Sequence, residues 1–179
     1  NRVPVVPRGA GSGLSGGSNA IDGSLILCLE RMRDVLLVNE ADGYVETQPG
    51  VLNTELREHV RKSGLWYAPD PASKDFCSIG GNVATNAGGL CCVKYGVTTD
   101  YVLGMTVVLA DGRAVKLGGP KIKDVAGYSL TKLFTGSEGT LGIITEVVLR
   151  LIPAQRPPTT LVATFASLDD AMATVLGIT

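Results

Sequence analysis

The sequence predicts a mixed fold of helices and short strands, on three observations. Seven short segments rich in Val, Leu and Ile alternate with turn residues, a pattern typical of strands. Helices are fewer, with three segments predicted among these strands. The 23 glycines in 179 residues are clustered, which indicates backbone loops with unusual dihedral angles rather than a flexible linker.

The strands predicted from these segments are short and precede residue 152. They cover residues 3–6, 24–29, 35–38, 44–48, 103–109, 114–117 and 143–151. Asp111-Gly112 separates two of them and predicts a hairpin with a two-residue turn, because both residues tolerate positive φ.

Three helices are predicted, at residues 52–63, 79–87 and 129–135. In the first, Leu52, Leu56 and Val60 share one stripe at a spacing of four. Asn53 is expected to cap the start of this helix, and Gly64 is expected to end it. The second helix carries small residues that permit close approach of other groups.

Pro157-Pro158 marks a break near the end of the sequence. Beyond it, residues 160–165 are predicted to form a strand and residues 168–176 a helix. We therefore expect one domain over residues 1–155 and the start of a second, truncated domain over residues 156–179.

Composition and charge narrow the classes of partner. The formal net charge of −1 gives no indication of a nucleic acid or an anionic membrane as partner. No apolar run reaches the length of a membrane-spanning helix. The four cysteines lack the spacing of a zinc site, so no metal is expected. Buried or half-buried reduced thiols suit a reducing compartment, and we expect a cytoplasmic protein, at most peripheral to a membrane.

The first glycine cluster runs from Pro7 to Gly17. Gly11, Gly13 and Gly16 match the dinucleotide-binding pattern GxGxxG. That interpretation is rejected because the pattern must open a helix, and the segment between Gly17 and the next strand is too short and glycine-rich to form one. What remains is a loop whose backbone amides can surround an anion such as a pyrophosphate, with Arg8 adding positive charge. The alternative is a surface loop without a ligand.

The second cluster places two Gly-Gly pairs around the short helix at 79–87. The free N–H groups at the start of this helix are expected to suit a phosphate or an electron-rich ring edge. Asn82, Thr85 and Asn86 offer further hydrogen bonds. The alternative is a helix whose glycines serve packing alone.

The third cluster, residues 136–145, is a loop that leads into a strand. It would let backbone and apolar side chains approach a flat ligand. By itself this segment is also compatible with an ordinary loop.

These motifs together resemble a known cofactor-binding domain. The motifs at 7–17, 79–89, 123–128 and 133–142 are similar, in this order, to those of the FAD-binding domain of the vanillyl-alcohol oxidase and p-cresol methylhydroxylase family. Within it, the similarity is greatest to glycolate oxidase large subunits and to D-lactate and D-2-hydroxyglutarate dehydrogenases. The resemblance covers residues 1–155 and implies an α+β fold of two subdomains with FAD between them.

The resemblance implies that three segments bind FAD: the first loop at the pyrophosphate, residues 69–89 along the flavin and ribityl chain, and the third cluster beside the adenosine. The residues so implied are Arg8, Gly9, Ala10, Gly11, Ser12, Gly13, Leu14, Ser15, Pro69, Asp70, Ile79, Gly80, Gly81, Asn82, Thr85, Asn86, Gly88, Gly89, Glu138, Gly139, Ile143 and Ile144. Some relatives attach FAD through a histidine in the first loop, where this sequence has Ser12, so noncovalent FAD is expected. A thioether at Cys77 is the alternative.

The resemblance also implies a FAD-dependent dehydrogenase or oxidase of a small 2-hydroxy acid such as glycolate, D-lactate or D-2-hydroxyglutarate. Hydride would pass from substrate C2 to flavin N5, and then to an unidentified electron acceptor. His59 lies on a charged helix face, and no catalytic residue is expected in this chain. The base and substrate ligands would come from the following substrate (cap) domain, so the chain alone should be inactive.

Three other functions stay open. An electron-relaying flavoprotein subunit and an enzyme like alkyl-glycerone-phosphate synthase, which catalyses a non-redox carbon–oxygen exchange, would use the same domain. In the third, the glycines serve packing only.

Overall fold

The computed structural model describes residues 3–156 and 159–178. Helices and strands are interspersed, which confirms the predicted mixed fold. The strands are β1 (Val5–Arg8), β2 (Leu25–Cys28), β3 (Val35–Asn39), β4 (Tyr44–Thr47), β5 (Leu65–Trp66), β6 (Val102–Val108), β7 (Ala114–Gly118), β8 (Ile143–Arg150) and β9 (Ile152–Pro153). The helices are α1 (Asn53–Arg61), α2 (Ile79–Thr85), α3 (Cys92–Tyr95), α4 (Leu130–Phe134) and α5 (Leu168–Ile178), with a 3-10 turn at Thr98–Asp100.

The main sheet is antiparallel and has the strand order β3-β4-β8-β6-β7. The central strand β8 alternates buried and half-buried residues, with Val147 and Leu149 fully buried. Leu56 and Val60 of α1 and Val83 of α2 belong to the same buried cluster. Their spacing on α1 is the predicted stripe, so the predicted periodicity correctly identifies the face that packs in the core.

A separate two-stranded sheet pairs β1 with β2 in parallel, from Val5 opposite Leu25 to Arg8 opposite Cys28. The connection between them, residues 9–24, contains no helix. The rejection of a dinucleotide-binding helix is therefore confirmed. The connection is nonetheless long enough to return the chain for parallel pairing.

The predicted two-residue turn at Asp111-Gly112 is wrong, although the hairpin between β6 and β7 is present. Leu109 N donates to Arg113 O, and Gly112 N donates to Leu109 O. Only Gly112 has positive φ, at 86°. The connection is therefore a longer loop between Leu109 and Arg113, in which Gly112 supplies the positive φ. The dipeptide Asp-Gly suits this loop as well as it suits a two-residue turn.

The predicted capping role of Asn53 is also wrong. Leu52 occupies the cap position, and its backbone N–H donates a hydrogen bond to Glu55 Oε2 at 3.3 Å. Asn53 is the first helical residue and is fully buried, because its side chain is used inside the core. Gly64, with φ of 69°, follows the end of α1 as expected.

The predicted strand at 160–165 is wrong, whereas the helix after it is present as α5. Residues 160–165 have no strand assignment, and Leu161 and Val162 are 86% and 89% exposed. A strand requires a hydrogen-bonded neighbour, and none of the strands in the described residues pairs with this segment.

All four cysteines are free thiols, as expected. Cys77 is buried and Cys91 and Cys92 are half-buried, but Cys28 is exposed, contrary to the prediction. Within residues 3–156 and 159–178, no helix combines the length and the apolar character needed to cross a membrane.

Candidate functional site

A cleft of about 960 Å³, counting its open side, lies where the two sheets meet. The end of β1 and the glycine loop form one wall, and α2 and the segment 138–144 form the other. The lining contains the majority of the residues implicated by sequence, namely Arg8, Gly9, Ala10, Gly11, Ser12, Gly13, Ser15, Gly80, Gly81, Asn82, Thr85, Glu138, Gly139, Ile143 and Ile144.

The glycine loop offers a row of unpaired donors. None of the backbone N–H groups of residues 10–18 donates a hydrogen bond to any residue that the structure describes. Gly11 and Gly16 have φ of 69° and 76°, in the left-handed region that anion-binding loops use. Unpaired amides in a loop that lines a cleft are available to an anion, so donors for the predicted anion site are present.

Arg8 supplies positive charge at the same wall. No carboxylate lies within 4 Å of its guanidinium among the described residues. A Cβ at Gly11 would stand only 3.1 Å from Arg8 Nη2, so the guanidinium packs on the loop itself. An unpaired cation beside unpaired amides favours an anionic ligand.

The first turn of α2 differs from expectation, because its N–H groups are not free. Ile79 N donates to Val51 O and Gly80 N to Pro49 O, each at 2.8 Å, while Gly81 N donates to Ser78 Oγ at 3.2 Å. The preceding turn and the Ser78 cap thus satisfy the amides that were predicted to bind a ligand. The prediction of an anion site at this helix start is wrong.

What α2 contributes is a surface of minimal bulk. Gly80, Gly81, Ala84 and Thr85 line the cleft. A Cβ at Gly80 would stand 2.5 Å from Pro49 Cβ, so a glycine is required for the helix to approach this turn. The Thr85 hydroxyl donates back to Gly81 O at 2.9 Å, as it commonly does within a helix. A flat ligand can therefore come close to the backbone here.

The third glycine cluster is hydrogen-bonded to the C-terminal end of α2. Gly136 N donates to Val83 O at 2.9 Å, and Glu138 N donates to Ala84 O at 2.8 Å. These bonds satisfy carbonyls in the last turn of α2. Ile143 and Ile144 follow as the apolar part of the lining.

Asn82 lines the cleft, but its side chain is used in the core. Asn82 is 2% exposed. Its Nδ2 donates to Cys77 Sγ at 3.1 Å, and its Oδ1 accepts from Asn53 Nδ2 at 2.9 Å. Asn53 Nδ2 also donates to Pro69 O at 3.1 Å. This buried chain fixes α2 to α1, and so leaves the Asn82 amide with a structural role.

Seven predicted site residues lie outside the cleft lining: Leu14, Pro69, Asp70, Ile79, Asn86, Gly88 and Gly89. Leu14 is fully exposed, and Ile79 is a core residue. Asp70 Oδ1 accepts from Cys91 N at 2.9 Å, and Asn86 Oδ1 accepts from Thr99 N at 2.9 Å, so both side chains hold neighbouring loops.

The lining also contains residues that the sequence analysis did not single out. They are Pro7, Gly17, Ser18, Leu29, Pro49, Ser73, Ser78, Ala84, Ala87 and Gly142. Pro7, Gly17, Ala84, Ala87 and Gly142 belong to the quoted motifs and could have been included on that ground. Ser73 and Ser78 lie in the segment 69–89 that the resemblance already implied to line the flavin, whereas tertiary packing brings Leu29 and Pro49 to the cleft and no local pattern marks them.

Other titratable groups have structural surroundings. His59 is exposed on α1. Trp66 packs edge-on against Tyr95, and Tyr67 is fully buried, where burial raises its pKa. Burial and then the hydrogen bond with Asp70 raise the pKa of the Cys91 thiol, which favours the unreactive protonated form. No cluster of three potential metal ligands occurs in the part of the chain that the structure describes.

Comparison with known proteins gives a consistent result. A family model described as "FAD binding domain" matches residues 1–118. The chain is 47% identical over 178 residues to glycolate oxidase subunit GlcD of Bacillus subtilis, covering 99% of this chain and 38% of that protein. It is 49% identical to D-lactate dehydrogenase of Anaerostipes hadrus, covering 98% of this chain and 37% of that protein.

A more distant relative and a solved structure extend the comparison. D-2-hydroxyglutarate dehydrogenase of Xanthomonas citri pv. viticola is 41% identical, covering 95% of this chain and 36% of that protein. A solved structure of alkyldihydroxyacetonephosphate synthase superposes with a TM-score of 0.74 at 31% identity, covering 84% of this chain and 29% of that one. The chain thus spans little more than a third of the length of the curated relatives named above.

Proposed function

Because the chain belongs to the family of FAD-binding domains, we propose that it forms the FAD-binding portion of an oxidoreductase acting on small 2-hydroxy acids. The resemblance seen in the glycine motifs is confirmed by the family match and by relatives at 41–49% identity. The named relatives are much longer than this chain, so the proposed activity is that of the whole protein. The names of three relatives, acting on glycolate, D-lactate and D-2-hydroxyglutarate, support the substrate class.

The observation that carries this proposal is the row of unpaired amides at residues 10–18, with Arg8 beside it. A pyrophosphate needs several donors and a cation, and this wall supplies both. The opposite wall includes small and apolar residues, which suit an extended aromatic ligand, namely Gly80, Gly81, Ala84, Ile143 and Ile144. The residues present therefore fit FAD.

In this proposal each wall has a distinct task. The amides of the glycine loop and Arg8 hold the phosphates. Gly80, Gly81 and Ala84 lie along the extended middle of the cofactor, and Ile143 with Ile144 excludes water from its adenosine half. FAD, when bound, supplies the two-electron acceptor that oxidation of a 2-hydroxy acid requires.

We propose that FAD is held without a covalent bond. The glycine loop contains no histidine, and Ser12 stands at the position where some relatives have one. Cys77 is 1% exposed, accepts a hydrogen bond from Asn82 and is absent from the cleft lining, so a thioether at this residue is disfavoured.

No lining residue offers a general base for the substrate hydroxyl. The ionisable lining side chains are Arg8 and Glu138 within the described residues. Arginine does not deprotonate, and Glu138 is engaged with Ser15. We propose that the base and the substrate ligands come from a substrate (cap) domain that begins near residue 156. The exposed apolar side chains of α5, among them Leu168 and Leu176, support this boundary.

Four free thiols suit a cytoplasmic location. The electron acceptor is a separate molecule of unknown class.

The structural similarity to alkyldihydroxyacetonephosphate synthase favours a non-redox carbon–oxygen exchange as the second candidate function. The higher identity of the hydroxy-acid oxidoreductases favours oxidation.

The first experiment is an absorption spectrum of the purified chain after FAD is added and the excess is removed. We expect flavin bands that stay with the protein and leave it on acid precipitation. A colourless protein would contradict the placement of FAD in this cleft, and flavin that stays on the precipitate would contradict noncovalent binding.

The natural full-length protein then separates the two candidate activities. Bleaching of the flavin by glycolate, D-lactate or D-2-hydroxyglutarate under anaerobic conditions is expected for the oxidoreductase. Turnover of an acylated glycerone phosphate without net redox change would instead establish the synthase.

A further inference from the structure

The glycine loop has a single hydrogen bond to the body of the protein. Ser15 Oγ donates to Glu138 Oε2 at 2.8 Å. Among the described residues, no other hydrogen bond joins residues 10–18 to any residue beyond Asn19, whose N–H bonds to Gly16 O. Apart from packing contacts such as that of Arg8 on Gly11, this glycine-rich loop is therefore tied to the rest of the protein by one side-chain hydrogen bond.

Glu138 is held in an unusual conformation to make this contact. Its φ is 50°, one of two positive values among the non-glycine residues that the structure describes. The bond from Glu138 N to Ala84 O fixes this backbone against α2. Glycine or asparagine would adopt such a φ with less strain, so the carboxylate must contribute something that these residues lack.

The carboxylate also lies against the loop backbone. A Cβ at Gly17 would stand 3.0 Å from Glu138 Oε2, so Gly17 leaves room for the side chain. No lysine or arginine forms an ion pair with Glu138 in the described residues. An unpaired negative charge beside an anion site is unfavourable for the anion, and a role in direct phosphate binding is therefore excluded.

We propose that Glu138 is a positioning residue that accepts the Ser15 hydrogen bond and so holds the amides of residues 10–18 in the arrangement that receives the cofactor phosphates. This inference rests on the proposed placement of those phosphates. Pre-ordering the loop reduces the entropy lost on binding, which offsets the unfavourable charge.

The test compares four variants of the same chain, Ser15→Ala, Glu138→Gly, Glu138→Gln and the double variant Ser15→Ala/Glu138→Gly. Glu138→Gly removes the acceptor but eases the backbone, so the melting temperature should not fall. Glu138→Gln keeps an acceptor oxygen and removes the charge, so it should behave as the conservative rescue. Ser24→Ala is the matched control, since Ser24 is in the same connection between β1 and β2, lies outside the cleft lining, and its hydroxyl bonds only the nearby Ile21 O.

The first readout is the NMR order parameter of backbone amides 10–18 in the chain without FAD. We expect values near 0.85 in the wild type, Ser24→Ala and Glu138→Gln, and values below about 0.6 in Ser15→Ala and Glu138→Gly. Equal order in the wild type and Ser15→Ala would overturn the proposal. Loss of order in Glu138→Gln would also overturn it, because the acceptor would still be present.

The second readout is the FAD dissociation constant from fluorescence titration. Ser15→Ala and Glu138→Gly should each weaken binding about tenfold, and the double variant should be no weaker than either. Additive losses would contradict a shared contact. If the wild-type chain bound no FAD, the proposed function would fail, while the order parameters would still decide the role of Glu138.

Discussion

Gly139 packs its backbone directly onto the ring of Pro7, so closely that a β-carbon at Gly139 would overlap Pro7 Cγ. This contact brings the third glycine cluster onto β1 at the floor of the cleft. Gly139 also has φ of 78°. Two independent requirements, space and backbone conformation, therefore select glycine at this position.

Gly139→Ala should destabilise the fold by about 2–4 kcal/mol, because it adds the strain of positive φ to a steric overlap. Gly112→Ala is the matched control, since Gly112 has φ of 86° and no atom within 4 Å of the added carbon. That variant should lose about 1–2 kcal/mol. Urea unfolding measures both, and equal losses would mean that the Pro7 contact is unimportant.

Gly13→Val should weaken FAD binding roughly tenfold or more and leave stability within about 0.5 kcal/mol of the wild type. Gly13 has negative φ, and the nearest atom to an added Cβ is Thr85 Cγ2 at 3.8 Å, so the side chain fits within the cleft. Flavin fluorescence titration and thermal unfolding separate the two effects. Unchanged FAD affinity would place the ligand elsewhere.

Asn53→Ala should cost about 2–3 kcal/mol, because it leaves Pro69 O and Asn82 Oδ1 without their buried donor. Asn39→Ala serves as control, since Asn39 bonds Asp42 at the surface and its loss should cost at most about 1 kcal/mol. Chemical denaturation of both variants provides the comparison. Similar losses would show that the buried chain does not anchor α1 to α2.

Glu55 links stability to pH. The hydrogen bond from Arg33 lowers the pKa of the Glu55 carboxyl below its ordinary value of 4.5. The stabilisation is therefore present above about pH 4.5 and is lost as pH falls through the lower pKa of the folded state. Both side chains are about half exposed, so screening limits the effect to about 0.2–1 kcal/mol.

Glu55→Gln should accordingly be less stable than the wild type at pH 7 and equally stable at pH 3. Urea midpoints at the two pH values test this. A difference that persists at pH 3 would indicate a role of Glu55 other than its charge.

Local patterns anticipated the periodic parts of the molecule. The stripe Leu56 and Val60, and the positions of seven of the eight predicted strands, follow from side-chain spacing, which the chain carries within each segment. The glycine loop was also identified, because rejecting a helix there required only the glycine content and the length. The sequence motifs contain most of the residues that line the cleft.

Two of the errors have a common physical origin in distant partners. The amides predicted to be free at the start of α2 donate hydrogen bonds to the carbonyl oxygens of Val51 and Pro49, which lie in a turn far from the helix in the sequence. Asn53 is predicted as a cap because the local sequence does not reveal its hydrogen bond to Asn82, which is also distant in the sequence. In each case the local preference was plausible, and a tertiary contact determined the outcome.

The short helix α2 is bonded to other segments at both ends, to the turn at 49–51 before it and to Gly136 and Glu138 after it. Seven residues are too few for a helix to persist alone in water. This helix can therefore melt only when those neighbouring segments separate as well. Its amides should exchange with solvent deuterium through the cooperative opening of the domain rather than by fraying, so the thinnest wall of the cleft is among the last parts to unfold locally.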